Sequence, residues 1–75
     1  MEIKLSEMSY GEEGIVNKID EDLRNKVAGM GVRVGKKLKM ITKQPVKGPV
    51  VVLVDEAHTS LGLEVARKII MEVER

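Results

Sequence analysis

Polar and apolar residues alternate most clearly after Lys36. Leu38, Met40 and Thr42 share one parity, and Lys37, Lys39, Ile41 and Lys43 share the other. That is the period of two of a strand with one wet face. Ile69, Met71 and Val73 alternate with Ile70, Glu72 and Glu74 in the same way, as a closing strand. Val50 to Val54 is an apolar run of five, the length of a central strand. Near the start, Gly11 and Gly14 bracket a turn, and IVNKI follows as a strand with Ile15 and Ile19 on one face.

Between the first and second of these strands the period lengthens. Leu23, Val27 and Met30 recur at i, i+4 and i+7, one narrow apolar stripe of a helix. Asp20 is its expected N-cap, Glu21 and Asp22 place negative charge at the positive end of its dipole, and Gly29 and Gly31 end it. QPVKGP and EAHTS are expected turns, and a single helical turn is expected within Leu61 to Lys68. Short strands separated by turn signals predict a mainly β chain: a small barrel with a helix inserted after the first strand. A parallel sheet would need more crossover helices than this length holds.

At 75 residues the chain is read as one domain, 1–75, with a thin core. It has no cysteine, which excludes disulfides, thiolate metal sites and cysteine nucleophiles. No segment has the composition of a signal peptide or a membrane span, so the expected location is the cytoplasm, with no direct membrane insertion. The net charge of +1 conceals a division: residues 1–23 hold seven acids against two bases, and residues 24–54 hold eight bases and no acid.

The letters DEAH, from Asp55 to His58, mimic a helicase carboxylate strand. The phosphate loop that such a site needs is missing: GVRVGKK is one residue short between its glycines, has Lys37 in place of the hydroxyl, and precedes a strand instead of a helix. DEAH is therefore read as a polar turn. His58 is the sole histidine and has no second His or Cys to complete a metal site within one chain, so no metal ligand or cofactor is assigned. A transition metal shared across a homodimer at His58 stays as a third reading. The methionines are scattered as core filler, and no acid is paired with a base or nucleophile, so the chain is read as non-enzymatic. Lys37, Lys39 and Lys43 share one face and offer an alternative function, binding of single-stranded nucleic acid. Such surfaces usually add aromatic stacking platforms, and the one aromatic, Tyr10, lies outside the basic stretch, so nucleic acid is the lesser expectation.

In order and spacing, LSEMSYGEEG, MGVRVGKKLKM, KGPVVVLV and LGLEVARKIIMEV resemble the FeoA family, the small cytoplasmic proteins of bacterial ferrous-iron uptake. The resemblance runs from about Leu5 to Val73. Departures fall near the helix, where Val27 and Met30 stand in for leucines and Val34 for a proline. The resemblance implies an SH3-like β-barrel, a domain also found at the C-terminus of some iron-dependent repressors. It further implies a non-enzymatic partner of the FeoB-type membrane ferrous-iron transporter, acting on its GTP-binding region. Arg24 and Arg33 are the expected charged contacts with that partner, and Met30 and Leu61 the expected exposed apolar ones.

Overall fold

In the computed structural model, which describes residues 1–43 and 48–75, each alternating segment forms a strand. The elements are β1 (Glu2–Lys4), a 3-10 turn (Leu5–Glu7), β2 (Glu13–Ile19), a second 3-10 turn (Glu21–Leu23) leading into α1 (Arg24–Ala28), β3 (Lys37–Lys43), β4 (Val50–Val54), β5 (Ala57–Leu61), α2 (Leu63–Arg67) and β6 (Ile69–Val73). The strands form one sheet in the order β1-β6-β2-β3-β4-β5, with every pairing antiparallel. Each strand contributes to a single buried cluster, represented by Ile3, Val16, Leu38, Val52, Leu61 and Met71. The near-equal extents of 27 × 25 × 22 Å show that the sheet curls around this cluster, as in an SH3-like fold. The expected mainly β architecture is present, with a short helix between the strands that begin at Glu13 and Lys37.

Two strands break strict alternation, each at a bulge. In β2 the pairing with β6 steps from Val16↔Met71 to Lys18↔Ile70. The extra residue, Asn17, turns Val16 and Ile19 both inward, to 1% and 4% exposure, and leaves Ile15 at 42%. The expected Ile15–Ile19 face is thus corrected to Val16–Ile19. In β3 the register shifts between Met40 and Thr42, so Thr42 leaves the buried face that Leu38 and Met40 hold.

Other expectations also change. The inserted helix follows the second strand, because β1 precedes it; a strand of three residues with one buried side chain, Ile3, is too short to show a period. EAHTS is mostly strand. Its reversal needs only Asp55 and Glu56, whose φ values of 48° and 68° give the two-residue turn that matches strand twist. Ala57 to Leu61 then pair back along β4. Of QPVKGP, residues 44–47 lie outside the described residues.

Gly14 belongs to β2 and not to the turn before it, and it pairs with both Leu38 and Val73. A Cβ there would lie 2.8 Å from Val73 Cγ1 and 2.9 Å from the Glu72 carbonyl oxygen. β6 can approach this closely only over a glycine. Beyond β6, Arg75 donates to both Glu12 carboxylate oxygens at 3.0 and 2.9 Å and to the Glu7 carbonyl at 3.3 Å, pinning the chain end against the turn before β2. The Arg75 hydrogen bond, with a second from the Ser9 amide, lowers the Glu12 pKa to about 2.

Two outcomes follow from these contacts. Gly14→Ala should lose about 1–3 kcal/mol by overpacking against β6, read from urea unfolding. The second concerns Glu12: because its folded pKa lies below its unfolded value, its contribution is complete above pH 4.5 and fades as pH falls towards 2. Arg75→Met should therefore be less stable than the wild type at pH 6, and the difference should shrink on acidification. A gap that is independent of pH would contradict the assignment.

Candidate docking face

Arg24 opens α1 immediately after the 3-10 turn. Asp20 was the expected N-cap, but its side chain makes no capping bond; the Leu23 amide donates to the Asp20 carbonyl at 2.9 Å instead. The helix begins as a tight backbone turn, which leaves the Asp20 carboxylate in solvent. Val27 anchors α1 with no exposed surface, while Leu23 packs on the rim of the core.

The helix ends by backbone geometry. The Val32 amide donates to the Val27 carbonyl at 3.0 Å and the Gly31 amide to the Ala28 carbonyl at 3.0 Å. This paired bonding is the Schellman motif, and it puts Gly31 in the left-handed region at φ 85°. Gly29, also expected in that role, keeps a helical φ of −63°. Val27 and Val32, the apolar pair of the motif, are both fully buried. Because the helix stops at Ala28, Met30 falls off the expected stripe and stands 39% exposed.

A second reversal follows at once. The Lys36 amide donates to the Arg33 carbonyl at 3.0 Å, with Gly35 at φ 92°. That is a type II turn with glycine at its third position. The Gly35 amide is held by the Val16 carbonyl at 2.8 Å, and the Val16 amide by the Lys36 carbonyl at 2.9 Å, which fixes the turn to β2. Arg33 and Val34 are carried on this turn, and Val34 is 55% exposed.

The two reversals bring the turn back beside α1. Between them lies an open groove of about 400 Å³ lined by Ile19, Arg24, Asn25, Ala28, Val32, Arg33 and Val34. The structure thus joins two of the expected contact residues, Arg24 and Arg33. Met30 is exposed nearby in the chain but does not line the groove. Leu61 is corrected: at 2% exposure it packs in the core from β5 and offers no exposed apolar contact. The reading from sequence missed Ile19, Ala28, Val32 and Val34 as lining. The run VRV held between Gly31 and Gly35 marks Val32 and Val34 as a pair, but nothing in it points to Ile19 or Ala28 or to a groove.

Some of the surface cations are paired with acids. Lys36 binds Asp55 at 2.9 Å, Lys37 meets Glu13 at 3.5 Å, and Lys68 meets Asp22 at 3.9 Å. Among the described residues, Arg24 and Arg33 form no ion pair, and neither do Lys4, Lys18, Lys26, Lys39 and Lys43. The two arginines differ in lining this one groove. On the basic face expected for nucleic acid, Lys37 meets Glu13 and Lys39 has no ion pair among the described residues. Tyr10, outside the basic stretch in sequence, is brought beside Lys43, whose ammonium lies 5.9 Å from the ring centroid. His58 is exposed on β5, and no group of three or more His, Cys, Asp or Glu able to hold a metal occurs among the described residues.

The FeoA domain model matches residues 3–73. The chain belongs to the FeoA domain family. A curated relative from Methanocaldococcus jannaschii, named "Putative Fe(2+) transport protein A", is 38% identical over 64 residues, covering 83% of this chain and 76% of the relative. Among solved structures, the crystal structure of an iron uptake regulatory protein (FeoA) superposes with a TM-score of 0.86 at 29% identity, covering 96% of both chains. A manganese-dependent transcriptional repressor superposes with a TM-score of 0.88 at 21% identity, covering 97% of this chain and 42% of the repressor. The repressor shares the fold of this FeoA domain.

The shape of the face rests on Gly31. Gly31→Ala should cost about 1 kcal/mol or more, because alanine resists positive φ. It should also move the amide resonances of Val32, Arg33 and Val34 well beyond those of the distant strand β1. A stability and spectrum indistinguishable from wild type would refute the geometry.

Proposed function

We propose that this FeoA-domain protein is a non-enzymatic accessory of ferrous-iron uptake. It works in the cytoplasm by binding the GTP-binding region of a FeoB-type membrane iron transporter. The observation that carries this reading is the family match across residues 3–73, supported by the 38% identical relative whose name assigns it to Fe(2+) transport. The face built around Arg24 and Arg33 supports it further, since cations without internal partners and exposed aliphatic side chains are the features of a docking surface. Among the described residues no helix is long and apolar enough to cross a membrane, so on this reading the transporter supplies the passage.

A docking protein changes its partner's behaviour only by binding one state more tightly than another. On this reading the domain holds the transporter's GTP-binding region in the nucleotide state that its face fits better.

Calorimetry with the isolated GTP-binding region, loaded in turn with GDP and a non-hydrolysable GTP analogue, tests the reading. The expected result is saturable binding that differs between the two states. Replacing Arg24 and Arg33 together by Glu should weaken it at least about tenfold, or about 1.4 kcal/mol. Absence of binding in both nucleotide states would reject the proposal.

A further inference from the structure

The groove beside α1 specifies the chemistry of what enters it, resting on the docking reading above. Three grooves among the described residues differ in charge. One is lined by Glu13, Glu72 and Glu74 with Lys37, and it repels an acidic ligand. Another mixes Lys36, Lys37 and Lys39 with Glu13, Asp55 and Glu56, and two of its lysines are already in ion pairs. The groove between Arg24 and Arg33 has two cations and no acid in its lining. The nearest acids in the chain are Asp20, next to Ile19 and exposed, and Glu21 and Asp22 of the preceding turn, of which Asp22 lies 3.9 Å from the Lys68 ammonium.

The lining between the arginines is aliphatic: Ile19 and Val32, which belong to the core, form its floor, and Ala28 and Val34 give its accessible surface. A small inorganic anion would leave that surface wet, while an uncharged apolar ligand would leave both guanidiniums without a partner. The volume of about 400 Å³ is near the lower end for ligand sites, room for one or two aliphatic side chains and not for a helix. Asn25, on the rim, adds a side-chain amide that can bond to a peptide backbone.

We propose that this groove captures an extended acidic segment of the partner protein, with an aliphatic side chain seated against Ala28 and Val34 and flanking carboxylates paired to Arg24 and Arg33. Guanidinium matches carboxylate in a two-pronged geometry, so the pairs set orientation as well as strength. Specificity then comes from demanding both features in one short segment.

The test is a two-dimensional amide titration of the full chain with the capped peptide Asp-Leu-Val-Glu-Ile-Asp. Its control is the isostere in which Asn and Gln replace the acids. The acidic peptide should shift Ala28, Val32, Arg33 and Val34. The isostere should bind at least about tenfold more weakly, as should the acidic peptide to an Arg24→Gln/Arg33→Gln variant of unchanged thermal midpoint. No shifts at millimolar peptide, equal binding by the isostere, or shifts centred on Lys37 and Lys39 would each overturn the proposal. If the peptide fails while the transporter's GTP-binding region still binds, this proposal alone falls. If the peptide binds and the transporter region does not, the docking reading alone falls.

Discussion

The last strand of the chain, β6, lies between the first two. Met71 carries the junction: it pairs with Ile3 on one side and Val16 on the other, and it is fully buried. The N-terminal ammonium completes the closure by donating to the Val73 carbonyl at 2.8 Å and to the Glu72 carboxylate. Gly14 is the concession that makes this possible, since any side chain there would hold β6 away. Pairings across almost the whole sequence are costly in loop entropy. In return, the two ends of a thin-cored domain are locked through one strand. The excursion from Ile19 to Lys37 adds Val27 and Val32 to the core, while the sheet closes without it.

That division of labour explains the charge pattern. Lys37 of β3 and Lys36 of the turn before it are matched to Glu13 of β2 and Asp55 of the β4–β5 turn, so part of the basic middle segment complements the acids around it. Arg24 and Arg33 sit on the excursion and have no such partners among the described residues. Lys39 and Lys43 on the sheet also lack ion pairs among the described residues, so what sets Arg24 and Arg33 apart is the acid-free groove between them.

Much of this was legible in the sequence for a physical reason. Leu38 and Met40, and Ile69, Met71 and Val73, show a clean period of two because one face of each strand is buried and the other is wet. Ile15 misled because the bulge at Asn17 changes parity without changing composition. Met30 misled because the helix stops two residues earlier, through a bond pattern that needs only a glycine at position 31. The strand Ala57–Leu61 was hidden because an edge strand with four of its five residues outside the core carries no hydrophobic period. The arginines of the face could be picked out by type and position, but its apolar lining could not. Ile19, Ala28, Val32 and Val34 come from separate elements and meet only after both reversals.

A superposition shared with a transcriptional repressor shows that the curled sheet is a reusable frame, so the functional claim rests on the family match, with the face as its support, and not on the fold. The most direct test of the account is amide hydrogen exchange of the full chain on vesicles that carry the transporter. The account predicts slowed exchange confined to residues 24–34, with β1 and β5 unchanged. Protection centred on the β5 edge or the β3 lysines, with residues 24–34 exchanging as freely as in the isolated protein, would contradict it.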